Sequence, residues 1–163
     1  MRRMFLAVML LAGTVGLAGC QQIHQVFDPP SSAAPLPQAR IQMRDVDEHG
    51  SAAATLLKDE NGRPLAVLEP AFITTADIAS VALDRNTQGG EPLLSLTMTD
   101  AAAPRIQAAT EARIGRRVAF SVGEKVLSVA TIQGPFGKGM QVSGLGDATR
   151  AQRMYTEITG KTP

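Results

Sequence analysis

The sequence predicts an α+β fold in which an antiparallel β-sheet carries two amphipathic helices packed on one face. Apolar and polar residues alternate over 94–98 and 118–122, as in strands with one buried face. Gly123-Glu124 then suits a two-residue type II′ hairpin, which joins neighbouring strands antiparallel. Apolar residues recur at helical spacing over 106–114 and 151–158. Hairpins combined with such helices are typical of a layered α+β domain.

The first 19 residues have the pattern of a secretory signal peptide. Arg2 and Arg3 form a basic start, an apolar run follows to Val15, and small residues precede Cys20. A bilayer-spanning helix needs about 20 apolar residues, so this run is too short to span permanently. We therefore interpret residues 1–19 as a signal peptide.

Leu17, Ala18, Gly19 and Cys20 resemble the lipobox of bacterial lipoproteins. The resemblance implies that the Cys20 thiol receives a diacylglycerol, that cleavage precedes Cys20, and that the new amine is acylated, for instance with palmitate. Two or three acyl chains give stable attachment to a membrane. The alternative, a core cysteine in a buried helix, fits poorly with the basic start and the proline-rich stretch that follows. In enterobacterial lipoproteins, an Asp directly after the lipidated Cys retains the protein at the inner membrane. Gln21 occupies that position here, which favours a location at the outer membrane.

Residues 20–38 are predicted to be a lipidated tether rich in Pro, Ser and Ala. Proline removes a backbone donor and breaks helices and inner strands, so this stretch is expected to be semi-extended. At about 3.1 Å per residue it would hold a domain up to roughly 50 Å from the membrane. The folded domain is expected to cover residues 39–163.

The first half of this domain contains short elements. Alternation and apolar content predict strands at 40–44, 64–69 and 79–83. A turn or single helical turn is expected at 74–77 and a loop at 86–92, while 48–61 is ambiguous.

The second half is more regular. A strand at 94–98 leads into a helix capped by Thr99 or Asp100, with a stripe of Ile106, Thr110 and Ile114 and an exit at Gly115. Strands follow at 118–122, 126–132 and 140–143, with a glycine-rich connection at 133–139. The last helix is expected to start at Asp147, to end at Gly160, and to bury Ala151, Met154, Tyr155 and Ile158.

Composition excludes several classes of protein. One cysteine in 163 residues rules out an intramolecular disulfide framework and any multi-cysteine metal site. Removal of residues 1–19 deletes Arg2 and Arg3, which leaves 14 basic and 15 acidic residues and changes the formal charge from +1 to −1. Such a chain has no basic footprint for nucleic acid.

The patterns associated with catalysis are incomplete. His49 has no nucleophile motif nearby, and Asp45, Asp47 and Glu48 are typical of a solvated acidic turn. Arg113, Arg116 and Arg117 form a basic cluster at a helix end, with a lipid or peptidoglycan contact as a secondary hypothesis. We expect no catalytic or metal-binding residues and no cofactor.

The C-terminal two-thirds of the chain has a joint pattern of residues whose spacing is informative: Thr110, Gly115, Ala119, Lys125, Ser128, Ile132 and Gly144, together with the segment Ile73-Thr74-Thr75-Ala76-Asp77-Ile78 upstream. This pattern resembles the head subdomain in the first periplasmic domain of SecD, a protein-export subunit. The resemblance covers residues 64–160. The hairpin Asp-Gly of the family is replaced by Gly123-Glu124, and a family proline by Ala130.

Together with the lipobox, the resemblance implies a lipid-anchored module, facing the periplasm, that binds an exported polypeptide or a Sec-type envelope partner and is not an enzyme. The candidate binding loop is Pro135, Phe136, Gly137 and Lys138, which we expect to be flexible and to present Phe136 beside a strand edge. The alternative for Phe136 is packing over the end of the sheet. Two other functions remain open: a structural envelope lipoprotein without a dedicated ligand, and an envelope enzyme of unrecognised type.

Overall fold

A computed structural model describes residues 32–59, 61–87 and 89–163 of the chain. Within them the strands are β1 (Ser32–Ala33), β2 (Ile41–Asp45), β3 (Thr55–Lys58), β4 (Pro64–Val67), β5 (Ile73–Thr74), β6 (Ile78–Arg85), β7 (Pro92–Met98), β8 (Arg117–Val122), β9 (Lys125–Thr131) and β10 (Gly139–Val142). The helices are α1 (Ala103–Glu111) and α2 (Ala148–Thr159), and short 3₁₀ turns cover Pro37–Ala39 and Thr75–Asp77. The α+β class with antiparallel strands and two helices is confirmed.

The strands form two sheets where the sequence predicted one. The first is antiparallel, in the order β1-β6-β7-β10. The second has the order β4-β3-β9-β8-β2-β5 and is antiparallel except at the single bridge Lys58–Lys125. Periodicity identifies a strand but not its partner, and β10 pairs with β7 across the intervening α1 and the β8–β9 hairpin.

The six-stranded sheet curls into a small, partly closed barrel. The amide of Asp47 donates to the carbonyl of Ala66 at 2.9 Å, and the amide of Leu68 donates to the carbonyl of Asp45 at 2.9 Å. These bonds join the end of β2 to the end of β4, at opposite sides of the sheet. The barrel encloses a minor core of Val46, Leu57, Val67, Ala119 and Val126.

The main core lies between the two sheets and takes side chains from both helices. From α2 it receives the predicted stripe of Ala151, Met154, Tyr155 and Ile158, all buried. From α1 it receives Ile106 and Thr110, both 0% exposed. No helix within the described ranges is long and apolar enough to cross a membrane.

The predicted caps of α2 and the predicted β8–β9 turn agree with the structure, whereas the predicted cap of α1 by Thr99 or Asp100 is wrong, because its N-cap is Ala102 without a side-chain hydrogen bond. Asp147 accepts a hydrogen bond from the amide of Arg150 at 2.8 Å and so caps α2, and Gly160 ends that helix with a φ of 68°. Gly123 has a φ of 59° at the first position of the β8–β9 turn, where a type II′ hairpin requires a positive value.

The stripe predicted for α1 wrongly includes Ile114, which lies beyond the end of the helix. The helix ends at Glu111, and Ile114 is 51% exposed instead of buried. The chain leaves the helix through a turn in which the amide of Gly115 donates to the carbonyl of Ile132 at 2.8 Å. This bond ties the chain to the end of β9 and directs residue 114 away from the core.

The folded part begins earlier than the predicted boundary at residue 39. Ser32 and Ala33 pair with Ala82 and Val81 of β6. The amide of Leu36 donates to the carbonyl of Ile158 at 2.8 Å, and its side chain packs on the main core. Proline is tolerated here because Pro35 lies outside β1 and Pro37 starts a 3₁₀ turn, so the proline-rich stretch includes a docked strap (residues 32–39).

Candidate functional site

The predicted binding loop lies against α1. The amide of Phe136 donates to Thr110 Oγ1 at 3.0 Å, and that oxygen is also 3.0 Å from the carbonyl of Phe136. The ring is half-buried and packs on the main core. The structure thus places Phe136 against the main core, in the manner of the alternative in which its ring packs over the sheet. A binding role for the loop stays a prediction.

Two neighbouring residues of the loop also contact α1 or the residues just before it. A Cβ on Gly137 would lie 3.0 Å from the carbonyl oxygen of Ala103, so a larger residue here would require α1 or the loop to shift by a few tenths of an ångström. Lys138 Nζ pairs with the carboxylate of Asp100. A hydrogen bond from the Lys138 ammonium, together with its charge, holds the pKa of Asp100 below its ordinary value of 3.8. Pro135 is exposed.

A groove of about 360 Å³ adjoins this loop, and a smaller cavity of about 70 Å³ shares several of its lining residues. The groove floor is the core-facing side of the barrel sheet, formed by Met43, Val118, Phe120 and Ala130. Val118 pairs directly with Ala130, and both therefore lie on the same face. Met43, Val118 and Phe120 are each 4% exposed, whereas Ala130 is exposed. The floor is thus an apolar surface whose accessible part is Ala130.

The opposite wall is an edge strand. β10 pairs with β7 on one side and is the last strand of its sheet in the part of the chain that the structure describes. Met140 and Gln141 of β10 line both cavities, and Phe136 closes one end of the larger one. An edge strand carries backbone N–H and C=O groups without strand partners, and such groups can pair with another chain.

The groove has no charged lining. Every side chain around both cavities is apolar, hydroxylated or an amide within the described residues. Burial of a charged group in such a place is costly unless it is paired. The arrangement therefore suits an uncharged ligand that offers backbone hydrogen bonds and apolar side chains.

The arginine cluster forms ion pairs with residues of the predicted acidic turn, but the prediction that Asp45 is solvated is wrong, because it ends β2 and is only 9% exposed. Arg113 Nε lies 3.1 Å from Asp45 Oδ2, and Arg116 Nε lies 3.7 Å from Asp45 Oδ1. Arg113 also lies over the ring of Phe72, 4.5 Å from its centroid. Arg117 pairs with Glu48 at 3.3 Å. These contacts give both groups a structural role and weaken the lipid-contact hypothesis.

Sequence reasoning identified Phe136 but missed the rest of the groove. Met43, Val118 and Phe120 carried the pattern of ordinary core-facing strand residues, and no local pattern marks which core positions border a groove. Thr110 was assigned to the helix stripe, and its contact with Phe136 spans 26 residues of chain. Leu17, Ala18, Gly19 and Cys20 lie outside the described residues.

Comparison with known families tests the resemblance. The model of the family "SecDF, P1 head subdomain" matches residues 52–160. The chain belongs to this family. The match begins before residue 64, where the resemblance was placed, and so includes the β3–β4 hairpin of the barrel.

Solved structures of SecDF share the P1 head fold with this chain. One, described as a membrane component that enhances protein export, has a TM-score of 0.55 and 22% identity over 77% of this chain and 65% of its own. Another, SecDF in a super-membrane-facing form, has a TM-score of 0.56 and 20% identity over 77% of this chain and 20% of its own. The chain thus spans about two-thirds and one-fifth of these proteins. A comparison with curated proteins gave no match.

Proposed function

We propose that this chain is a non-enzymatic polypeptide-binding module of the cell envelope. In this proposal an extended polypeptide segment adds as a strand to the outer edge of β10 and lays alternate side chains on the groove floor. The observation that carries the proposal is the position of an edge strand directly beside an uncharged, mainly apolar groove. Strand addition combines main-chain hydrogen bonds with side-chain pockets in this way.

The chemistry of the groove defines the ligand class. Side chains of a strand alternate between two faces, so every second residue of the bound segment would contact Met43, Val118 and Ala130. Methionine is flexible and polarizable, which lets Met43 and Met140 adapt to apolar side chains of different shape. The groove therefore suits extended segments with apolar residues at every second position and disfavours segments with charges there.

Membership of the P1 head family supports a link to protein export. One of the similar structures belongs to a protein described as enhancing protein export, and an unfolded polypeptide in transit is an extended segment of the class described above. We extend the proposal to the anchor: Cys20, in the lipobox Leu17-Ala18-Gly19-Cys20, carries the lipid and holds the domain in the periplasm, at the outer membrane. We propose a Sec-type envelope protein as the second class of ligand for a domain in this location.

A peptide-binding measurement tests the groove. The probe is a fluorescein-labelled peptide of alternating Val and Thr, and the comparison peptide has Glu in place of each Val. We expect saturable binding of the first peptide to the full-length chain in detergent, measured by fluorescence anisotropy. Binding of the Glu peptide should be at least about tenfold weaker, equivalent to about 1.4 kcal/mol.

A pair of matched variants locates the binding. Ala130→Glu places a charge on the groove floor, whereas Ala79→Glu makes the same change at an exposed position of β6 outside the groove. We expect Ala130→Glu to weaken Val-Thr peptide binding at least about tenfold and Ala79→Glu to leave it unchanged. Absence of binding by the wild-type chain would favour a structural lipoprotein and refute the proposal. Equal binding by both variants would refute the groove as its site.

A further inference from the structure

We infer that Thr110 is the positioning residue of the groove: its hydroxyl group holds the backbone of Phe136 and thereby the aromatic end wall. The inference rests on the proposed function, since it names the residue that shapes the same site. Thr110 is 0% exposed and lies on the core-facing side of α1, so it does not itself line the groove.

The geometry gives Thr110 two contacts with one residue. Its Oγ1 accepts from the amide of Phe136 at 3.0 Å, and the carbonyl of Phe136 lies 3.0 Å from the same atom. The hydroxyl proton also has helix acceptors, at the carbonyls of Ile106 (2.9 Å) and Gln107 (3.1 Å). A hydroxyl carries one donor and two acceptor lone pairs, so it accepts from the Phe136 amide whichever carbonyl its proton faces.

The loop depends on this contact because Phe136 belongs to no strand. Removal of the hydroxyl group leaves the part-buried amide of Phe136 without its acceptor, which is unfavourable because no other protein group replaces the lost hydrogen bond there. The backbone of Phe136 would then shift towards solvent to bind water. Gly137 and Lys138 would still hold the far side of the loop, through contacts with Ala103 and Asp100. The expected result is a displaced ring in a folded protein.

Thr159 offers a matched control. It is also a buried threonine on a helix, 3% exposed, and its Oγ1 donates to the carbonyl four residues earlier, at Tyr155, over 2.7 Å. Thr159 lies at the end of α2 and does not line the groove. A merely structural effect of a lost helix hydroxyl should therefore be similar for Thr110→Val and Thr159→Val.

The experiment uses the full-length chain in detergent and the labelled Val-Thr peptide. We expect Thr110→Val to weaken peptide binding about tenfold, equivalent to about 1.4 kcal/mol. Thr110→Ser keeps the hydroxyl group and should bind within about threefold of wild type, while Thr159→Val should bind as wild type. If circular dichroism shows that Thr110→Val is unfolded, Thr110→Cys replaces it, because a thiol is a weak donor and acceptor.

A second readout separates this inference from the proposed function. Fluorine-labelled phenylalanine reports the environment of each ring by NMR, and the Phe136→Leu variant assigns the Phe136 resonance. We expect Thr110→Val to shift that resonance without peptide, and Thr159→Val to leave it unchanged. A shifted ring with no peptide binding by wild type would refute the proposed function alone. An unchanged resonance and unchanged affinity in Thr110→Val would overturn the positioning role.

Discussion

Asp77 connects three segments of the chain at one carboxylate. Its Oδ2 accepts from the amide and hydroxyl of Thr74, at 2.8 and 3.0 Å, and its Oδ1 accepts from Arg105 Nη2 at 2.6 Å. Arg105 in turn donates from Nη1 to the carbonyl of Phe72 at 2.8 Å. The carboxylate thus caps the short 3₁₀ turn and fixes the first turn of α1 beside it.

These contacts make the stability of the protein depend on pH. Partial burial alone raises the pKa of Asp77, but the hydrogen bonds from Thr74 and the Arg105 guanidinium outweigh it and hold the pKa below its ordinary value of 3.8. The folded state therefore binds this proton more weakly than the unfolded state. The stabilisation is present above pH 3.8 and is lost as the pH falls through the lower pKa of the folded protein.

Asp77→Asn should lower the free energy of unfolding at pH 7 by about 1 kcal/mol, because the ion pair and the charged cap are lost. The difference from wild type should shrink as the pH falls below 3.8, since the wild-type carboxylate is then also neutral. Urea unfolding between pH 7 and pH 2.5 measures both effects. Arg105→Gln removes the ion-pair partner of Asp77, so the free energy of unfolding should fall less at acid pH than it does in wild type. An acid slope in Asp77→Asn equal to that of wild type would contradict this assignment.

Among the elements, α2 was the most completely predictable. Its cap at Asp147, its apolar stripe and its exit at Gly160 all lie within 14 residues, and the structure contains each of them. The end of α1 was less predictable, because it depends on a hydrogen bond between Gly115 and Ile132, which is distant in the chain. Strands β8 and β9 agree with the prediction within one residue, since both alternation and turn chemistry are local.

The docked strap was not predictable in the same way. Residues 32–39 have the composition of a linker, but Leu36 binds the end of α2 and packs on the main core. Contacts of Leu36 therefore help to hold part of the expected tether against the domain, as β1 and the 3₁₀ turn that follows it. The distance from Cys20 to the first paired residue, Ser32, is about 40 Å at full extension, shorter than the roughly 50 Å expected for the whole stretch.

Leu36→Ala should destabilise the folded protein by about 1–2 kcal/mol, less than for a fully buried leucine because Leu36 is half-buried. Leu56→Ala is the matched control, since Leu56 is 69% exposed and the same atoms are removed. Its effect should stay within about 0.5 kcal/mol. Thermal or urea unfolding of both variants measures the difference. Equal stability of the two variants would show that the strap does not contribute to the fold.

At the scale of the whole molecule, β1 and the groove lie at opposite edges of one sheet. Within the described residues, β1 and β10, which borders the groove, are the two outer strands of the four-stranded sheet. With a spacing of about 4.8 Å between strands, they are roughly 14 Å apart. A domain attached to the membrane through Cys20 would therefore keep the groove edge away from its point of attachment.

The anchor itself has a direct test. Cys20→Ser removes the only cysteine and should yield a precursor that keeps residues 1–19 and takes up no labelled palmitate in cells. The control adds Ser31→Cys to that variant, which restores a thiol outside the lipobox and should also remain unlabelled. Gel mobility and lipid labelling measure the outcome. Continued labelling of Cys20→Ser would exclude lipidation at this residue.

The sequence by itself determined the class of the fold, the family, both helices and most of the strands, because caps, turns and periodicity act over a few residues. Only the tertiary structure decided how the strands divide into two sheets and where the strap begins. It also decided that Met43 and Val118 form the floor of a groove and that Thr110 holds Phe136. Each of these depends on hydrogen bonds or packing between segments far apart in the chain, and such contacts follow from strand partnership, which the period of a strand does not encode.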